Sequence, residues 1–560
     1  MRENDRDKLV MGAWSLNELL RDAGNEAEYG VRLNPEAALP DLGQVSSIAD
    51  AAQYQLAAGS FIGVKRLHSG EILLIPDLLG LRPIYFSETT VSDTFTDLVA
   101  LSRESVDWRS KVDFDSVMHF LEFGYPEPGK TIFEGLYCTT PGDVVVVGPK
   151  GLRRVRANEN PLSPGVLEAT GDLGRINNSI TYLSSRLREL LSEVQGPAGV
   201  DITGGSDSRL LAAFSPYSKQ LKEASCSYST SDADEIQIGQ DVADRVNLKF
   251  YFVAAPNFYS SNDLWSSFDY VDGLGDVLNG LRHRKMQDDR AKRGIRVSLS
   301  GIGGELFKDY WWLQDFPRYR KKRASLGRLY RLRFNSSPMS KSGLTTRASI
   351  SLEAARSSCW DRLQYLSNEG GISSEIYDRI YYWEKMANVP VPFVVGSAKL
   401  GIGLVAPLLD SRLVQCGYRL PRRQRWMERA HRQCISKSPN PDVGSLRTTA
   451  GSTLKAGFLG QAADVFGWVL NKGKRLASKM VERTTGRIKW RKTPNHPQSL
   501  DDLLRISDEM RLVDDLKEDG LVELGIKSIR DLDRSRAGRW CNLAMILRTA
   551  RGGKQEASCN

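Results

Sequence analysis

No two of the seven cysteines (Cys138, Cys226, Cys359, Cys416, Cys434, Cys541 and Cys559) form a C-x-x-C pair. An odd, scattered set argues against a disulfide framework and against a structural zinc site. The five histidines, His68, His119, His283, His431 and His496, show no i, i+4 or other ligand spacing, so surface or packing roles are expected for them. No apolar run approaches the roughly 20 residues that a membrane span needs, and the opening MRENDRDKLVMGAWSL has no apolar core of a signal peptide. These absences lead us to expect a soluble, cytoplasmic protein. The Walker pattern G-x-x-x-x-G-K-[ST] occurs nowhere, and there is no internal repeat. What is there is a globular composition: 560 residues, 41% apolar and 26% charged, with a net charge of +9. That length suits two to four domains, and the mild basic bias permits an anionic partner without demanding one.

From Gly59 to Arg156 short β-rich runs (GSFIGVKRL, EILLIPDLLGLRPIYF, GDVVVVGPKGLRRVR) alternate with turns, interrupted by the helical DFDSVMHFLEFG with Asp113 as its expected N-cap. A segment rich in Pro, Gly and acids, 158–174, reads as a linker. Beyond it, strands near GVDIT, SCSYST, LKFYFV and IRVSLS alternate with helical stretches, the signature of a parallel sheet with crossovers. After about Leu420 the pattern is mostly helical. The expected units are therefore 1–157, 175–440 and 441–560, joined at 158–174.

Two glycine-rich turns carry the chemistry. In VDITGGSDSRLL a strand enters Thr203-Gly204-Gly205-Ser206-Asp207-Ser208 and a helix leaves it. Adjacent glycines let backbone N–H groups approach an anion, and the helix directs its positive dipole end there. The hydroxyls of Thr203 and Ser208 can donate to phosphate oxygens. A carboxylate among phosphates repels them unless a cation intervenes, so Asp207 implies Mg²⁺. A plain Gly-Gly turn with an Asp/Ser cap is the structural alternative. The second turn, Ser300-Gly301-Ile302-Gly303-Gly304 followed by Glu305, again stands between a strand and a helix start. Ligands collect at the carboxyl ends of parallel strands, so the two turns can face one crevice.

The first turn resembles the S-G-G-x-D-S loop of the PP-loop ATP pyrophosphatases, with Thr203 in the first Ser position. The second resembles S-G-E-G-A-D-E-L-F of the asparagine synthetases. Aligned without a gap, Glu305 takes the place of the family's second Mg²⁺-binding Asp, and Ile302 the place of a Glu or a catalytic Tyr. TSDADEIQIGQDVADRVNLKFYFV and Ala406-Pro407-Leu408-Leu409-Asp410 fit the same family in order. So do Gly59-Ser60-Phe61, Asp77–Tyr85, Phe123-Gly124-Tyr125, Lys130–Phe133 and Pro141-Gly142, which resemble its N-terminal glutaminase half. The resemblance covers most of 59–440.

It implies an α/β protein: an Ntn-hydrolase-like αββα sandwich, then a PP-loop doubly wound parallel-sheet synthetase domain with a helical C-terminal part. The implied activity is ATP-dependent, AMP-forming amide ligation. Thr203, Gly204, Gly205, Ser206, Ser208, Ser300, Gly301, Gly303 and Gly304 would cradle ATP, Asp207 and Glu305 would hold Mg²⁺, and Arg447 and Lys455 are the candidates for the family's adenylate-stabilising lysine. The family's glutaminase nucleophile is a Cys directly after the initiator Met; here Arg2 follows Met1, so glutamine hydrolysis is not expected and the amine would come from the substrate. A carboxylate substrate such as a peptide, ATP and a substrate-delivering partner protein are the implied partners. An ammonia- or glutamine-fed asparagine synthetase, a non-catalytic scaffold and a tRNA-modifying ligase are the rivals. The basic runs 316–333 and 471–492 read as solvated faces or docks for acidic peptide or phosphates ahead of nucleic-acid surfaces. Trp311 and Trp312 read as core or as pocket lining, and Gly401-x-Gly403-x-x-Ala406, with no strand before it, is not a dinucleotide fingerprint.

Overall fold

A computed structural model describes residues 11–22, 24–34, 39–104, 111–169, 179–228, 233–311, 323–449, 451–456 and 497–552. The fold is α/β. In the N-terminal half, β1 (Ala13–Ser15), β2 (Glu26–Leu33), β3 (Ala58–Arg66), β4 (Ile72–Pro76), β5 (Tyr85–Phe86), β6 (Thr90–Ser92), β7 (Tyr137–Cys138), β8 (Asp143–Gly148) and β9 (Gly151–Arg156) make two antiparallel sheets. One has the order β2-β3-β4-β8-β9 and the other β1-β6-β5-β7. The runs ILLIP and VVVV are continuously apolar because both faces of their sheet are covered. Ile72, Leu74, Val145 and Val147 pack toward Ile84, Phe86 and Val91 of the second sheet. Leu73, Ile75, Val144 and Val146 pack on Leu42 and Tyr54, from the short helix Leu42–Gln44 and the helix Ile48–Tyr54. Tyr85 of the second sheet joins Phe95, Leu98, Val117 and Leu121 from the helices Phe95–Arg103 and Phe114–Phe123. The layers thus run helix, sheet, sheet, helix. Asp113 caps Phe114–Phe123 by accepting from Ser116 N at 3.0 Å, and Gly124 closes it at φ 94°.

The second half is built on a wholly parallel sheet of β10 (Ala198–Asp201), β11 (Leu221–Tyr228), β12 (Lys249–Ala254), β13 (Val297–Leu299) and β14 (Gly403–Val405). Its order is β12-β11-β10-β13-β14. The chain steps outward from β10 to β12, then returns to place β13 on the other side of β10. The direction of winding reverses between β10 and β13, and loops leaving the carboxyl ends of these two strands border a crevice. Both glycine-rich turns leave those ends.

The halves meet through paired polar groups. Ser60 Oγ in β3 donates to Leu404 O in β14 at 2.6 Å. Gly403 is a glycine because a Cβ there would stand 2.2 Å from Val31 Cγ2 of β2, a reason unconnected with any dinucleotide. Asp272, itself buried at φ 51°, accepts from Phe95 N at 2.6 Å and from Lys399 Nζ at 2.9 Å. The expected linker is seated over its described part, 158–169. Leu162 is fully buried, Asn158 Nδ2 donates to Ala52 O at 2.8 Å, and Gln415 Nε2 donates to Pro161 O at 3.0 Å. Residues 170–174 lie outside the described residues. Val443 and Leu454 belong to the apolar cluster of the parallel sheet, so that core runs past residue 440. The helices Pro497–Glu509, Leu512–Glu518 and Ala537–Ala550 share a second cluster with Phe95–Arg103, Phe114–Phe123, Ser261–Tyr270 and Val277–Lys292, and are not an appended unit. Among the described residues no helix is long and apolar enough to cross a membrane.

Candidate functional site

The first turn leads from β10 into the helix Ser206–Ala213, with Gly205 as N-cap. Its hydroxyls shape it from within: Thr203 N donates to Ser208 Oγ at 3.0 Å, the two side-chain oxygens lie 3.0 Å apart, and Gly205 N donates to Thr203 Oγ1 at 3.2 Å. Gly204 has a more immediate reason than room for an anion. A Cβ there would stand 2.4 Å from Thr449 Cγ2, and Thr449 N donates to Gly204 O at 3.3 Å. The segment 446–449 is tied down by the buried Arg209 guanidinium, which donates to Leu446 O at 2.6 Å and to Arg447 O at 2.9 Å.

The second turn abuts the first. Ser300 N donates to Val405 O at 2.9 Å. A Cβ on Gly301 would stand 2.8 Å from Ser208 N, and one on Gly304 would stand 2.2 Å from Asp207 Cγ. Gly303 takes φ 96° with Leu409 Cδ2 2.6 Å from where its Cβ would be. Glu305 sits in the 3₁₀ turn Gly304–Phe307, in the neighbourhood of Tyr381. Burial, then the Glu305 carboxylate, pushes that phenol far above its ordinary range. Ile302 packs against the apolar core and offers no proton acceptor.

Three residues of this site were not among the expected ones. Lys308 Nζ donates to both Asp207 oxygens, at 2.7 and 3.0 Å, and His431 Nε2, fully buried, stands 2.8 Å from Oδ1. Burial alone would raise the Asp207 carboxyl; the Lys308 ammonium and His431 outweigh it and hold the group well below the usual carboxylate range. Burial works against the Lys308 ammonium as well, but Asp207, Glu428 and Glu305 together raise it. Glu428 receives a hydrogen bond from Ser206 Oγ at 3.2 Å. It and Met427 occupy the left-handed region at φ 60° and 52°, which costs about 1–2 kcal/mol per residue. That strained pair precedes the helix Arg429–Ser436, which carries His431. Lys308 had a sequence signal, lying three residues after Glu305 on a helix-like turn. His431 had none, because its partner lies on the opposite side of the sequence gap that folding closes.

The expected Mg²⁺ set does not fit these residues. Both Asp207 oxygens already have partners, and among the described residues no group of three His, Cys, Asp or Glu side chains is arranged to hold a metal ion. The candidates Arg447 and Lys455 are exposed. Their carbonyls, not their charges, are engaged: Arg447 O by Arg209, and Lys455 O by Arg432 Nη1 at 3.2 Å. Arg447 still borders the first turn, two residues before Thr449.

Elsewhere the expectations resolve into packing. Trp311 is buried and its indole donates to Asp378 Oδ1 at 2.5 Å, while Trp312, the first part of the 316–333 run, all of 471–492 and His496 lie outside the described residues. The Arg333 guanidinium stacks 3.9 Å from the Tyr310 ring centre. His119 Nδ1 lies 2.9 Å from Tyr125 O, and burial pushes His283 down to about 4. Cys138 donates from Sγ to Lys130 O at 3.3 Å, and burial pushes its thiol up to about 11, which leaves it no nucleophile. On the flank formed by 422–429, Arg422, Arg423, Trp426 and Arg429 border an open, apolar-lined surface recess of about 330 Å³. No family model matches this chain, and no curated protein matches it.

Proposed function

We propose that this protein is an ATP-dependent, AMP-forming amide ligase of asparagine-synthetase type, acting in the cytoplasm. The observation that supports this reading most is the contact of two glycine-rich turns at the carboxyl ends of β10 and β13, where the strand order reverses. In this reading the parallel sheet is a PP-loop domain and the layered N-terminal half is an Ntn-hydrolase relative. The N-terminal end of the helix Ser206–Ala213 binds the β- and γ-phosphates. A substrate carboxylate oxygen attacks the α-phosphorus, pyrophosphate leaves, and an acyl adenylate forms. A substrate amine then attacks the acyl carbon, loses its proton, and expels AMP. In this reading the substrate is a carboxylate such as a peptide, presented directly or by a partner protein.

A non-catalytic scaffold is the second reading, favoured by Ile302 packing into the core. The two separate in one assay: the purified protein is incubated with labelled ATP and pooled peptide and amino-acid carboxylates, and nucleotide products are resolved. AMP and pyrophosphate support the ligase. Stoichiometric ADP overturns it, and a complete lack of nucleotide turnover and binding supports the scaffold.

A further inference from the structure

We propose that Lys308 takes the place of a protein-held divalent cation, so that fixed basic side chains rather than Mg²⁺ neutralise the carboxylates of this crevice. The inference rests on the nucleotide reading above and specifies how that site handles charge.

The Lys308 ammonium lies across both oxygens of Asp207, at 2.7 and 3.0 Å, the position a chelated cation would take. His431 Nε2 occupies the remaining approach to Oδ1 at 2.8 Å. Gly304 closes a further side, since even a Cβ there would stand 2.2 Å from Oδ1. A divalent ion entering beside Nζ would meet like charge at a few ångströms in a partly desolvated crevice, where such repulsion is strong. The other two carboxylates also have basic neighbours. Glu428 acts on Arg209, which burial depresses to about 10 and Glu428 raises in opposition. Glu305 acts on Lys385, which burial and Arg333 lower to about 8. Lys385 is fixed by donating to Arg333 O at 2.9 Å. Asp207 is thus matched by a base supplied by the chain itself, and the electrostatic surroundings of Glu428 and Glu305 are basic. Lys308 keeps 18% of its side chain exposed and its Nζ lies 3.4 Å from Ser206 Oγ, at the first residue of the helix that would face the phosphates. It is placed to neutralise Asp207 and meet an incoming phosphate at once.

The test is isothermal titration of the full chain with ATP, in excess EDTA and in millimolar Mg²⁺, for the wild type and for Lys308→Met. The wild type is expected to bind ATP with affinities that differ by less than about threefold between the two buffers, because its counter-charge is built in. Lys308→Met leaves Asp207 without its ammonium, so its affinity in EDTA is expected to fall at least about tenfold and to be regained on adding Mg²⁺. Wild-type binding that disappears in EDTA overturns the inference while leaving the nucleotide reading intact. No ATP binding in either buffer overturns both. The wild-type comparison stands by itself should the variant prove unstable.

Discussion

In the antiparallel half, buried charge is consumed by the fold itself. Asp77 accepts from the N–H groups of Leu81 and Arg82 at 3.0 and 2.9 Å, and the Arg82 guanidinium donates to Asp93 at 2.5 Å with both side chains sealed from solvent. Asp93 in turn holds Met11 N and Gly12 N. Glu122 accepts from Arg356, Arg536 and Met339 N, which joins this half to the C-terminal helices. At the ends of β10 and β13 the charges are paired too, but the pairs stand at a crevice. Asp207 and Lys308 keep 19% and 18% of their side chains exposed. A similar chemistry of ion pairs therefore builds a sealed joint in one place and a partly open pair at a crevice in the other. The difference is solvent access, because only a partly open pair can exchange one partner for a ligand.

Four measurements sharpen or break that contrast. The largest effect is expected for Glu122→Ala, which leaves Arg356 and Arg536 facing a desolvated gap. Unfolding free energy should fall by about 3–5 kcal/mol in a denaturant titration. A loss below about 1 kcal/mol would show that the joint is not a unit. Asp207→Asn comes next, since it removes the charge that holds Lys308 and His431 in place. Turnover of ATP to AMP should drop at least about 100-fold. Near-wild-type turnover would place the working site elsewhere.

The third concerns Asp77, whose carboxyl burial raises to about 6 against hydrogen bonds from Leu81 and Arg82 that lower it. A folded-state value above the unfolded one means that its contribution to stability is complete below about pH 4 and is lost as pH rises through about 6. Asp77→Asn should flatten the thermal-melting profile between pH 4 and 6, by on the order of 2 kcal/mol in wild-type-minus-variant stability. An unchanged profile would mean that another group sets it. The smallest effect is expected for Cys138→Ala. With its thiol directed at Lys130 O and raised to about 11, neither wild type nor variant should release glutamate from glutamine. Hydrolysis that the substitution abolishes would make the N-terminal half a working amidotransferase.

Local features were legible in the sequence because they depend on neighbours along the chain. Apolar runs marked β4 and β8, Asp113 marked a helix start, and the strand-turn-helix grammar around 203–208 and 300–305 marked both turns. Their meeting was also foreseeable, since loops from parallel strands share one edge. The reason for Gly204 was not, because Thr449 approaches it from a distant segment. The linker read from its Pro and Gly content is seated by Ala52, Gln415 and a buried Leu162. Composition reports what a backbone permits, not what packs on it.

The deepest divide lies at Asp207. The sequence by itself put a carboxylate at the head of a helix beside two glycines, and the charge logic of that position called for a cation. Tertiary structure decided what stands there: the Lys308 ammonium from the second turn, beside His431 from a helix beyond β14, both brought within 3 Å by the closing of the sheet. No spacing rule could pair them, because ion pairs between distant segments are selected by the three-dimensional packing of the elements that carry them and leave no periodicity in the chain.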